Sequence, residues 1–229
     1  MPSRFFQRER EKTAIKNRLF CLFTSLTIDR SVYIVNDMAR IAKTGPMVAE
    51  LSVRDRLLDT ADRLFYHEGV RAVGIDRVLA GAGAAKASLY QHFGGKDQLV
   101  ASCLERRTMD GRARVEAYLA DTPPSQRALR FFDWVVLWAK SEDFRGCPLQ
   151  HTLSELTDAA HPARGVALAQ RAWFTERFVE WTTAAGVEDA KATARALMVL
   201  FDGALAGSEV DGPQRASDAR WIARKLLGA

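Results

Sequence analysis

Residues 73–99 read VGIDRVLAGAGAAKASLYQHFGGKDQL, and their pattern decides the fold. Ile75, Val78 and Leu79 recur at helical spacing, Gly81 and Gly83 interrupt the pattern, and helix resumes over 85–92 with Leu89 and Phe93 as anchors. A glycine at such a corner supplies the positive φ that branched side chains resist, so two helices can cross steeply over a few linking residues. The spacing therefore predicts a helix-turn-helix followed by a third helix. Its second helix is short enough to enter the major groove of DNA.

The polar residues on that second helix are Lys86, Ser88, Tyr90, Gln91 and His92, and no acid stands between Arg77 and Asp97. Phosphate oxygens accept from all of these types, and Lys and Gln also reach base edges. Lys96 opens the next helix, where backbone N–H groups and an ammonium can together hold a phosphate. A solvated helical hairpin with no nucleic-acid partner satisfies the same spacing.

Further residues narrow the choice. Arg54, Leu57–Leu58, Ala61, Leu64–Phe65 and Gly69 come first, then Val78, Ala82–Gly83 and the run Leu89-Tyr90-x-His92-Phe93-x-x-Lys96 with Leu99. On these residues the chain from 53 to 104 resembles the DNA-binding domain of TetR-family transcriptional regulators. Two local departures stand out. Gly74 occupies a position where the family usually has Thr or Ser, and Ala84–Ala85 replaces the usual Val-Ser. The second change removes an N-cap oxygen worth about 1 kcal/mol. Both bear on operator affinity and sequence rather than on fold.

The resemblance implies an all-α chain: an N-terminal three-helix helix-turn-helix DNA-binding domain (51–109) and a larger C-terminal helical domain for ligand binding and dimerisation (110–229). It implies a cytoplasmic homodimer on a palindromic duplex operator, released by an unknown small-molecule effector, with no cofactor. Arg54, Arg77, Lys86, Ser88, Tyr90, Gln91, His92 and Lys96 are the expected DNA contacts. The dimer surface is expected near 173–181 and 192–201. The competing reading is a helical small-molecule binding or carrier protein whose hairpin no longer binds operator.

Net charge is weaker support than it looks. The chain carries +5, but residues 1–46 hold nine basic against four acidic side chains, and residues 51–107 hold nine against seven. The excess lies mostly in the N-terminal arm, so the local arrangement around Lys86 carries the DNA argument. In that arm a basic start leads to LFCLFTSL (19–26), which faintly resembles a signal peptide but is short and lacks a small-x-small cleavage pattern. Residues 1–50 are expected to be a weakly ordered extension, or to precede a true start at Met38 or Met47. A basic arm reaching along DNA is the rival. No apolar run approaches the length of a membrane span.

Downstream, helical spacing predicts helices over 52–68, 97–109, 126–140, 147–161, 162–185, 189–206 and 213–227. Ser52 with Asp55 resembles a capping box, Asp110–Gly111 is a candidate break, and Ser125 a candidate N-cap. The helix over 126–140 is apolar almost all round, so it is buried on several sides or lines a cavity. Phe132, Trp134, Trp138, Cys147, Gln150, His151, Trp173 and Phe174 are the expected effector pocket, although aromatics at this spacing more often form core. Cys147, if it caps the helix opened by Pro148, would have its thiol pKa lowered by the helix dipole. Cys147 with His151 is half a metal site with no further ligand at useful spacing, so no metal is expected. No catalytic residue is expected either: there is no Ser-His-Asp pattern, phosphate-cradling glycine loop or paired-histidine zinc motif.

Overall fold

The computed structural model describes residues 51–229, and the expectations placed on residues 1–50 lie outside them. Among the described residues there are nine α-helices and no strand. They are α1 (Val53–Glu68), α2 (Ile75–Ala82), α3 (Lys86–Phe93), α4 (Lys96–Leu119), α5 (Arg127–Ala139), α6 (Pro148–Glu155), α7 (Pro162–Ala184), α8 (Ala190–Asp211) and α9 (Gln214–Leu226).

Helix α1 starts where the sequence places a cap. Ser52 Oγ accepts from the Asp55 N–H at 3.1 Å and donates to the Asp55 carboxylate at 2.6 Å. Its apolar stripe, Leu57, Leu58, Ala61, Leu64 and Phe65, is buried. The turn between α2 and α3 is made by Gly83, which is left-handed at φ +58°. Gly81 does not interrupt α2. It lies inside that helix, where a Cβ would stand 2.8 Å from Thr60 Cγ2, so its smallness serves the close approach of α2 to α1. Arg56 also fastens this corner, donating to the Ala82 carbonyl at 3.0 Å and the Leu51 carbonyl at 2.9 Å. A guanidinium at the C-terminus of α2 meets the negative end of its dipole.

The break expected at Asp110–Gly111 is absent, for α4 runs unbroken over 24 residues. A glycine inside a helix costs about 1 kcal/mol relative to alanine. Packing on both sides outweighs that cost: Thr108 and Val115 are buried, and Arg112 donates to Gln170 at 2.5 Å and to the Ala169 carbonyl at 3.2 Å on α7.

Three more boundaries differ from the pattern. Ser125 caps nothing, because Pro124–Gln126 form a 3₁₀ turn that leads into α5 without a side-chain cap. Helix α6 stops at Glu155 rather than running on to His161, and the buried His161 instead caps α7, its Nδ1 accepting from the Ala163 N–H at 3.1 Å. Helix α8 continues past its expected end to Asp211.

Two apolar clusters result. One gathers α1, α2, α3 and the first half of α4, and takes in Ala163 and Ala167 of α7. The other is centred on Phe131, whose ring lies 5.1–5.8 Å from the rings of Phe132, Trp134, Phe174, Phe178, Trp181 and Phe201. Leu149 of α6 packs against both. Among the described residues no helix is long and apolar enough to cross a membrane.

Leu89 is fully buried and seats α3 in the first cluster. Leu89→Ala is expected to lower unfolding stability by about 2–5 kcal/mol, read from the midpoint of urea denaturation.

A candidate nucleic-acid interface

Helix α3 turns two of its eight side chains inward, Leu89 and Phe93, and leaves the rest toward solvent. Lys86, Ala87, Tyr90, Gln91 and His92 are exposed, Ser88 is half-buried, and more than half of the Tyr90 surface is open. Neither α2 nor α3 has a side-chain cap at its start, where Gly74 and Ala85 stand. The first turn of α3 therefore has no side-chain oxygen from residue 85, and its Ser88 N–H donates to the Ala85 carbonyl at 3.0 Å.

The other expected DNA contacts are engaged within the protein. Arg77 forms a two-pronged pair with the Glu68 carboxylate, one arm at 2.8 Å. Arg54 is exposed at the start of α1, with its guanidinium 5.3 Å from the Phe93 ring centre. Lys96 donates to the Val73 carbonyl at 2.7 Å and lies 5.9 Å from the Phe65 ring centre. Burial holds its pKa below the usual lysine range. Lys96 thus braces the turn ahead of α2 from inside the head, which the motif did not foretell.

The expected effector residues divide between buried core positions and half-exposed ones. Phe132, Trp134 and Phe174 are buried in the ring packing around Phe131. Trp138 is half-buried against Trp134 and Phe144, and Trp173 packs edge-on to Phe174 with Arg112 over its face. Gln150 donates to Asp202 at 3.2 Å, and His151 Nε2 lies 2.6 Å from Glu209. A cavity does open between α1, α4 and α6, lined by Asp62, Phe65, Tyr66, Cys103, Arg107, His151 and Thr152 among others. Of the eight expected residues only His151 reaches it.

Tyr66 is a residue the sequence reading passed over. Its hydroxyl donates to the Gly146 carbonyl at 3.1 Å and accepts from the Arg145 N–H at 2.9 Å, joining α1 to the loop before α6. The Arg107 guanidinium lies 4.0 Å from its ring centre and donates to Asp62 at 2.6 Å. Burial raises the pKa of Tyr66, and raises that of Asp62 against the pull of Arg107 and Arg106. A lone Tyr on a helix carries no signal of a partner 79 or 80 residues away in the chain, so only the folded structure reveals the link.

Cys147 does stand at the N-cap of α6, but the expected lowering of its pKa is overturned. Burial raises the thiol pKa, outweighing the Gln150 and Leu149 N–H groups that face the sulfur. Cys103 is likewise buried and raised. Among the described residues no cluster of His, Cys, Asp or Glu is arranged to hold a metal ion.

The family model for bacterial regulatory proteins of the tetR family matches residues 57–103. The HTH-type transcriptional regulator LmrA of Bacillus subtilis is 29% identical over 114 residues, which is 48% of this chain and 61% of LmrA. The chain thus spans about three fifths of that relative. The crystal structure of SCO4454, a TetR-family transcriptional regulator from Streptomyces coelicolor, superposes with a TM-score of 0.73 at 35% identity. That match covers 77% of this chain and 94% of the other. A regulator structure from Streptomyces avermitilis, sav143, gives a TM-score of 0.71 at 33% identity, over 78% of this chain and 97% of that one.

The buried thiols give a direct check. In the native protein Cys103 and Cys147 are expected to react with iodoacetamide at least about tenfold more slowly than a free thiol, and to recover that rate on denaturation. Peptide-resolved labelling measures this, and a Cys147 rate above that of the free thiol would contradict the burial argument.

Proposed function

The chain belongs to the TetR family of bacterial transcriptional regulators, and we propose that it is a homodimeric, cytoplasmic repressor released from a palindromic operator by a small molecule. The exposure of the acid-free face of α3 carries this reading: Lys86, Tyr90, Gln91 and His92 point to solvent while Leu89 and Phe93 hold the helix down. In this role Lys86, Ser88 and Tyr90 meet phosphates, Gln91 and His92 face the groove floor, and Arg54 contacts the flanking backbone. Arg77 joins them once Glu68 yields its guanidinium, while Lys96 supports the reading head from within.

Two-fold symmetry lets a pair of α3 helices meet successive major grooves. The proposed dimer face lies on α8 and α9. Val199, Gly203, Ala206 and Val210 follow one stripe of α8 and are all exposed, Val199 by 73% and Val210 by 82%. Trp221 and Ile222 are exposed on α9. Segment 173–181 contributes less than its sequence suggests, because Phe174, Phe178 and Trp181 are spent on the chain's own core. The effector is placed on α5, α6 and α7, where Trp138, Gln150, His151 and Trp173 remain half-exposed. It must bind the low-affinity DNA state better for release to follow.

The uncapped starts of α2 and α3 favour a second reading, a helical ligand carrier that no longer binds operator. A footprint on DNA flanking the chain's own gene separates the two. The regulator protects a palindromic stretch there, and the carrier protects nothing even at low ionic strength.

On the protected fragment, Lys86→Ala is expected to weaken binding and to flatten the slope of log K against log salt by about one unit. An unchanged slope would remove Lys86 from the phosphate contacts. Val199→Asp is expected to weaken self-association at least about tenfold, because it places an unpaired charge in the contact. Sedimentation velocity measures this, and an unaltered dimer would move the interface elsewhere.

A further inference from the structure

Three kinds of link join the head to the larger cluster: the continuous helix α4, apolar packing, and hydrogen bonds, among them those of Tyr66 to the loop before α6. Covalently, α4 passes from one to the other. Across the gap, Ala163 and Ala167 of α7 pack under the head. Alanine methyls present a shallow surface, and dispersion contacts of this kind have little directional preference. They hold the head close without setting its angle.

Direction comes from the polar links, of which the Tyr66 pair is one and the other lies on α6. At its C-terminal end the Glu155 carboxylate accepts from the N–H groups of Val70 at 3.0 Å and Arg71 at 2.7 Å, in the turn between α1 and α2. Both oxygens are used, one for each donor. Gly69 makes this approach possible: its φ is +92°, and a Cβ there would stand 2.9 Å from Glu155 Oε1. At the other end of α6, His151 meets Glu209, and Gln150 joins Asp202, which in turn pairs with both arms of Arg171 at 3.0 Å. The helix between these fastenings buries only Thr152 fully. It is a strut fastened at both ends by polar contacts, with Leu149 and Leu153 along it packed against the head cluster.

We propose that Glu155 is a positioning residue for DNA recognition, fixing the angle of the reading head so that two heads match one separation of operator half-sites. A displacement of α6 then reaches the DNA through this carboxylate without any change on α3. The inference rests on the regulator reading above, and it concerns the spacing of contacts rather than the contacts themselves. Glu155→Ala frees the head to turn on α4 and α7. Glu155→Gln keeps the shape and one acceptor oxygen but turns an NH₂ toward the second N–H, so it retains only part of the hold.

The test uses the full chain and three kinds of duplex: the footprinted operator, the same operator lengthened by one or two base pairs between half-sites, and a single half-site. Wild type is expected to bind the natural spacing at least about tenfold more tightly than the lengthened ones. In Glu155→Ala that preference falls to within about threefold while half-site affinity stays within about twofold, and Glu155→Gln falls between. Backbone amide exchange, read in parallel, shows Val70 and Arg71 protected in wild type and fast in Glu155→Ala. A damaged head lowers half-site affinity as well, which would overturn the proposal in favour of a merely structural role. Unchanged spacing preference in both variants overturns it too. Unprotected Val70 and Arg71 amides in a DNA-binding wild type defeat the proposal alone. Protected amides in a wild type that binds no duplex defeat the regulator reading, and the proposal falls with it.

Discussion

Leu89 and Phe93, driven into the cluster made by α1, α2 and α4, hold in place a helix of eight residues. Helices shorter than about 12 residues have little stability of their own in water, because nucleation is paid before propagation returns anything. With no acid in its first turn and no side-chain cap, α3 has less local help than most. Its persistence is therefore a tertiary effect. The same two anchors set which way its polar side chains face, so stability and recognition depend on one contact.

The two clusters are built differently. Around Phe131 the rings of α5, α7 and α8 interlock in edge-on and tilted pairs, a geometry that aromatic quadrupoles favour and that resists sliding. The head is bound to this mass through small methyls and hydrogen bonds: Tyr66 to the loop before α6 and Glu155 to the turn after α1. Removing a directional polar contact lets an angle change without unfolding either cluster. A rigid core and a lightly tethered head suit a molecule whose proposed task is to alter the separation of two reading surfaces.

Much of the head was legible from local chemistry. The cap at Ser52, the stop at Gly69, the stripe of α1 and the anchors of α3 each follow from residues within one or two turns of one another. The missing caps at Gly74 and Ala85 were legible for the same reason. Less legible were features that depend on distant partners. Nothing local shows that Arg56 donates to the Ala82 carbonyl, or that the Lys96 ammonium gives one of its three donors to the Val73 carbonyl. Gly111 reads as a break until Arg112 beside it is bonded to α7. In α5 the periodicity is uninformative because apolar residues surround the helix. The buried set is Ala128, Phe131, Phe132, Trp134, Val135 and Ala139, chosen by the helices that pack against it, while Leu129, Val136 and Leu137 are only half-buried.

Periodicity, glycine placement and the charge pattern of one short helix were enough to read helices beyond residue 50 and a helix-turn-helix whose second helix carries no acid. Those properties are local, so the covalent order of residues contains them. The folded chain decided the rest: that burial pushes the Cys147 thiol pKa up, that Phe132, Trp134 and Phe174 pack into the rings around Phe131, and that Glu155 and Tyr66 join the head to the body. Tyr66 and Glu155 meet partners between 79 and 85 residues away in sequence, and such meetings are set by the packing of whole helices. A sequence read one turn at a time has no access to that packing.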